Sequence, residues 1–154
     1  MNFAPEFLSA VAASNICSSY YDLCNKHPLR IDAPPAKSPF KEVLKAAVGR
    51  VQLTKLSGPG TVYQLDGLPD GVALNFIVQG RSTVETDFVV PYKETKEGGT
   101  FAILCNAALA HSGQALPTPP YPRPQFCSLD ELLVIFQSFD GLVRNLASVG
   151  SRQV

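Results

Sequence analysis

Apolar residues recur at spacings of three and four between residues 5 and 26, where Phe7 and Val11, then Ile16, Tyr20, Leu23 and Cys24 fall in register. The spacing predicts one amphipathic helix over 5–26. Pro5 suits its first turn, and Asn25 and Pro28 mark its end, because proline disfavours helical geometry in the residue before it. After a loop carrying Pro34 and Pro35, Ser38-Pro39 offers a capping hydroxyl and then a proline where a missing N–H costs nothing. A short second helix is expected there. Phe40, Val43, Leu44, Ala47 and Val48 would share its one apolar face, with Gly49 as the left-handed end.

Between residues 50 and 108 the period drops to two, and glycine-rich turns divide the chain into about five strands, at 50–56, 61–65, 72–81, 83–92 and 100–108. In the third, Leu74, Phe76 and Val78 alternate with Asn75 and Gln79. In the fourth, Val84, Thr86, Phe88, Val90 and Tyr92 alternate with Glu85 and Asp87, as in half-buried antiparallel strands. The turns are Gly58-Pro59-Gly60, Pro69-Asp70-Gly71 and Glu97-Gly98-Gly99, and such short links imply a meander of sequential neighbours. Pro91 places its end of the fourth strand at an edge or bulge.

Five prolines between residues 113 and 124 forbid regular hydrogen bonding and predict an extended arm. Ser128-Leu129-Asp130-Glu131 is a capping box that opens a final helix to about Ala147. That helix is unusual, because Leu132-Leu133-Val134-Ile135-Phe136 covers nearly every direction around its axis. The fold class is therefore α+β, with two N-terminal helices, a curved, mainly antiparallel sheet of about five strands, a proline-rich arm and a C-terminal helix. Its parts are a core domain (1–112), the arm (113–127) and the terminal helix (128–154), which packs on the core or on a partner.

A chain of 154 residues is the size of one domain, and no run reaches the roughly 18 to 20 consecutive apolar residues of a membrane span. Thirteen Lys and Arg balance thirteen Asp and Glu without a dense basic and aromatic array, so neither a membrane nor nucleic acid is the expected partner. The start lacks the basic region of a signal peptide, and the expected location is cytoplasmic or nuclear. In that setting Cys17, Cys24, Cys105 and Cys127 are expected as thiols. Cys17 and Cys24, two helical turns apart, are too distant to bridge each other.

Candidate chemistry is sparse. Cys24 and His27 have ligand-like spacing, but a zinc site would have to recruit Cys105, His111 or Cys127 from far along the chain. Cys105 and His111 as nucleophile and base is weaker, since Cys105 alternates in phase with Phe101 and Ile103 and reads as core. Gly58-Pro59-Gly60 joins two strands and offers no helix N-terminus to a phosphate. No metal and no cofactor is expected. Pro117-Thr118-Pro119-Pro120 and Pro119-Pro120-Tyr121-Pro122 match P-x-x-P, although a plain strap is the favoured reading.

Several strings resemble the nuclear transport factor 2-like superfamily, a cone-shaped α+β fold, over residues 7–106. These are the aromatic pair in Ser18-Ser19-Tyr20-Tyr21-Asp22-Leu23, the segment from Tyr63 to Gly71, the strand Leu74-Asn75-Phe76-Ile77-Val78-Gln79-Gly80, and Gly99-Thr100-Phe101-Ala102-Ile103-Leu104 as the closing strand. The sequence departs from the family after Leu104, where Cys105-Asn106-Ala107-Ala108 leads into the arm and an extra helix. The resemblance implies one of two roles. The first is a non-catalytic adaptor of the transport type that dimerises and binds proteins through its sheet face. The second is a small-molecule-binding protein or enzyme of the ketosteroid isomerase or polyketide cyclase type, for which Tyr20, Tyr21, Asp66 and Asp87 are the pocket candidates. Lacking a convincing acid–base pair, the chain favours the first.

The expected partner is another protein chain, in a homodimer, heterodimer or larger complex. Two apolar surfaces motivate it: the last helix, through Leu133, Ile135 and Phe139, and the outer sheet face, where Ala73, Ile77 and Val89 interrupt polar positions. Burial of both predicts an interface of about 2,000 Å² or more.

Overall fold

Within residues 2–30, 32, 39–80 and 82–151, which the computed structural model describes, α1 (Pro5–Ala13), α2 (Ile16–Lys26) and α3 (Phe40–Ala47) come first. They precede β1 (Leu53–Lys55), β2 (Thr61–Leu65), β3 (Ala73–Gln79), β4 (Thr83–Tyr92) and β5 (Thr95–Gly99), and α4 (Phe101–His111) and α5 (Leu129–Ser151) follow. The chain is α+β, with one antiparallel sheet in the order β1-β2-β3-β4-β5. The expected cap Ser38, the Pro34-Pro35 loop and Arg81 lie outside the described residues.

The helix expected over 5–26 is two helices. Ser14 is extended (φ −92°, ψ −179°); its hydroxyl donates to the Val11 carbonyl at 2.6 Å and accepts from the Ile16 N–H at 3.2 Å. A side chain that satisfies the backbone locally competes with the helical ladder, and here it breaks it. β2 and β4 have the expected bounds, whereas β1 and β3 are shorter than the strands expected at 50–56 and 72–81. Pro91 lies beyond the last β3 pair, Ala73 with Val89, where β4 has become an edge on that side.

The strand expected at 100–108 is the helix α4. Thr100 caps it, its side chain accepting from the Ile103 N–H at 3.1 Å, and Ala102, Ala107, Ala108 and Ala110 supply high helix propensity. A short, almost wholly apolar run carries no period that separates a buried helix from a buried strand. The fifth strand is instead Thr95–Gly99, which includes the expected turn Glu97-Gly98-Gly99 and pairs with β4 from Tyr92–Thr95 to Phe88–Gly99. A Cβ at Gly98 would lie 3.0 Å from the Phe88 carbonyl oxygen, so that strand crossing favours glycine.

α5 organises the interior. It packs on β4 and also against α1, α2 and α3. Phe136 stacks on Phe76 of β3 (4.1 Å) and tilts against Tyr63 of β2 (5.7 Å). Phe139 meets Phe76 (5.9 Å), Phe101 of α4 (5.7 Å) and Tyr20 of α2 (6.1 Å). Only a narrow stripe containing Asp130, Val134, Gln137, Gly141 and Arg144 faces out. This corrects the expected contact surface: Leu133, Ile135 and Phe139 are 1%, 0% and 0% exposed inside the chain's own core, because helices cover the side of α5 that the sheet does not. Leu129–Gly150 contains an 18-residue window of mean hydropathy 1.3, long and apolar enough for a membrane span, yet half of that window is buried in this fold.

Phe136→Ala is expected to lower the unfolding free energy by about 3 to 5 kcal/mol, and Val134→Ala by less than about 1 kcal/mol. Urea unfolding of the two variants checks the contrast.

Candidate functional site

The expected pocket residues do not converge. Tyr20 lies in the helical layer, stacked on Phe101 at 5.9 Å, and its hydroxyl donates to the Pro122 carbonyl at 2.5 Å. Burial first, then the neighbouring Cys24, pushes its hydroxyl far above the ordinary tyrosine range, so it stays protonated. Tyr21 is displaced upward as well, chiefly by burial. Asp66, at the end of β2, accepts from the Thr54 hydroxyl at 2.6 Å. Asp87 is exposed opposite Asn75, on the face of β4 that points away from Phe88 and the core.

Two other surfaces are better formed. On the sheet, Tyr63, Leu74, Phe76, Phe88 and Val90 point into the core, while the alternate side chains face the other way. Registers place Val62 beside Ile77 and Ala73 beside Val89, with the polar row Gln64, Asn75 and Asp87 between these pairs. Val62, Ile77 and Val89 are half-buried and Ala73 is exposed. Ring contacts from the helices go to the opposite, inward-facing side, through Phe76, Phe88, Tyr63 and Tyr92.

The second surface is an open groove of roughly 620 Å³ where α3 and the chain after it meet β2 and α5. Its polar lining includes Arg50, Gln52, Asp66, Asp140 and Arg144. Arg144 bonds Asp140 (2.7 Å) and the Gly67 carbonyl (3.0 Å), and Arg50 bonds Asp130 (2.8 Å). Here the single apolar face expected for α3 is corrected. Val43 and Ala47 are buried, but Phe40 is 44% and Val48 81% exposed, on an i, i+4, i+8 row with Leu44. Helical periodicity identifies residues that share a face, not whether another layer covers it.

The arm is a strap along its second half. The Val84 N–H donates to the Pro124 carbonyl (3.0 Å) and the Phe126 N–H to the Ser82 carbonyl (2.9 Å), covering the part of β4 that β5 does not reach. Arg123 pairs with Glu85, and the Gln125 N–H donates to the His27 carbonyl (2.9 Å). Pro119 and Pro120 remain exposed.

His27 and Glu131 join the end of α2 to the start of α5, with Nδ1 2.7 Å from Oε2. The capping box forms with a shifted return bond: the Glu131 N–H donates to the Ser128 hydroxyl (3.1 Å), and Glu131 Oε1 accepts from the Cys127 N–H (2.6 Å). His111 lies elsewhere, 3.1 Å from the Ser9 hydroxyl. Among the described residues no group of three or more His, Cys, Asp and Glu side chains is arranged to hold a metal ion.

Comparison of the chain with protein-family models, with curated proteins and with solved structures finds no match.

Desolvation opposes the charged form of Glu131, but the hydrogen bonds from His27 and the Cys127 N–H, with the charges of His27 and Arg30, outweigh it and hold the carboxyl below its ordinary value. A folded-state value below the unfolded one gives stability that is present above the ordinary carboxylate range and is lost as pH falls through the lowered value. Glu131→Gln is therefore expected to cost about 1 kcal/mol near neutral pH, and the gap from the parent should close in acid. Chemical unfolding across that range checks it.

Proposed function

We propose that this chain is a non-catalytic protein-interaction module whose partner docks on the outer face of the sheet around Ile77 and Val89. The observation that carries the reading is the one-sided construction of the fold. The aromatic contacts of the helices are made with the inward face of the sheet, while Val62, Ala73, Ile77 and Val89 form two apolar pairs on the other. Polar residues between and around apolar anchors are the usual anatomy of a specific interface. With Leu133, Ile135 and Phe139 enclosed, one of the two surfaces behind a very large interface is gone. The contact proposed is of ordinary size, about 1,600 Å² in total.

The resemblance to nuclear transport factor 2-like proteins supports the same choice, since its adaptor members dimerise and bind partners through the sheet. A transport-adaptor-like subunit of a cytoplasmic or nuclear complex is the finer form of the proposal. The alternative, a small-molecule site of the cone-fold type, is disfavoured by Phe136 and Phe139, which pack on the inward face of the sheet against Phe76.

Size and mass analysis of the protein purified from its native source is expected to give a complex of defined stoichiometry, with a second copy or with another chain. The double variant Ile77→Lys, Val89→Glu should keep the parent's thermal midpoint yet elute as a monomer. A parent that is itself monomeric, or a variant that retains the complex, would sink the reading.

A further inference from the structure

The apolar row on α3 borders the open groove, and neither belongs to the outer sheet face. Phe40 and Val48 are exposed and Leu44 is half-buried. Leu44 and Val48 also line one wall of the groove, next to Leu53, while Asp140 and Arg144 of α5 stand on the other. From Phe40 to Val48 the row runs about 12 Å at the rise of a helix.

Charge is distributed unevenly around this row. Successive helical residues point about 100° apart. With Val43 and Ala47 turned to the core, Lys41 and Lys45 therefore fall along the solvent side of the row, and Glu42 falls on the far side of the helix. The ion pairs among the described residues include neither of these lysines. Lys55 lies over the Phe40 ring, with Nζ 6.0 Å from its centroid, and donates to the Leu56 carbonyl at 2.6 Å, so its charge also meets no carboxylate there. Arg50 and Arg144, by contrast, are paired with Asp130 and Asp140. The unbalanced charge beside the row is positive.

We propose that the row and the groove dock an amphipathic helix of a partner protein, its apolar face laid along Phe40, Leu44 and Val48 and its acidic edge against Lys41 and Lys45. This second surface goes beyond the role proposed for the sheet. A helix held in an apolar groove is read through anchors three and four residues apart. The i, i+4 row on α3 is the complementary ridge, since ridges of that spacing interdigitate when helices pack. Carboxylates opposite the lysines fix the register, speed the encounter and turn away a basic helix. An anionic bilayer fits less well. A flat surface does not reach into the groove, and Asp66 and Asp140 in its lining repel phospholipid headgroups.

The test pans a phage-displayed library of random peptides of about 16 residues, a length at which an isolated helix is marginal, against the folded full-length chain. Enriched peptides are expected to carry apolar residues three and four apart with Asp or Glu beside them. A synthetic copy should gain helical circular dichroism on binding. Lys41→Glu with Lys45→Glu should weaken that peptide about tenfold or more, and changing its acidic residues to lysine should restore binding to this variant. Phe40→Ala with Val48→Ala should weaken the original peptide about tenfold as well. All four side chains are exposed, so both variants should keep the parent's thermal midpoint. Ile77→Lys with Val89→Glu should leave peptide binding unchanged, which separates failure at this site from failure at the sheet. No enrichment, enriched peptides without the acidic amphipathic pattern, or full binding by the charge-reversed variant would overturn the proposal. So would phosphatidylserine vesicles that sediment the chain through Phe40 and Val48 and displace the peptide, because the row would then belong to a membrane.

Discussion

A helix that is apolar around most of its circumference must be enclosed, and enclosing α5 is the constraint on which the other elements depend. The sheet covers one side through Phe76, Tyr63 and β4. α1, α2, α3 and α4 close most of the rest, with Phe139 touching β3, α4 and α2 at once. Burying a side chain of this size contributes about 1.5 to 3 kcal/mol, and Leu132, Leu133, Ile135, Phe136, Phe139 and Val143 each do so in a single helix. The strap follows from the same demand. It bridges the end of α4 to the start of α5 and must cross the β4 edge that β5 leaves open, where its backbone pairs with Ser82 and Val84. An unpaired edge invites association with other strands, so the strap also protects the sheet.

The elements whose pattern is local and unambiguous were legible in the sequence. β2 and β4 alternate cleanly between turns, and their bounds match residue for residue. The errors have specific causes. At Ser14 one hydroxyl competes with the helical ladder, and apolar spacing carries no record of it. At 101–111 the run is too uniformly apolar to show a period, although Thr100 and the alanines were available as a capping and propensity signal. In α5 the all-round apolar segment was correctly seen as needing a second cover, but the cover comes from the chain's own helices.

The candidate sites divide along the same line. Strand alternation alone places Ile77 and Val89 on the outward face, so those positions were readable. The tyrosine–aspartate pocket depended on long-range placement. The fold sends Tyr20 to a strap carbonyl 102 residues away and Asp87 to the far side of the sheet. The exposed row on α3 and the groove beneath it depend on which layers are absent around α3, a property of the assembled fold and not of its own spacing.

A filled interior is the structural ground for placing the proposed role on the outside of the sheet. A domain that keeps a ligand cavity in the concavity of its sheet must leave that volume unoccupied, or line it with polar groups that fix a substrate's orientation. Here the inward face of the sheet holds two phenylalanines of α5 in ring contact with it. The inward threonine, Thr86, is committed to the N–H of Phe101 at 3.3 Å. Open clefts lie at the α3 groove and along α2 and α5. The proposed docking of another surface needs no enclosed cavity, and the outward sheet face offers apolar pairs with a polar row between them.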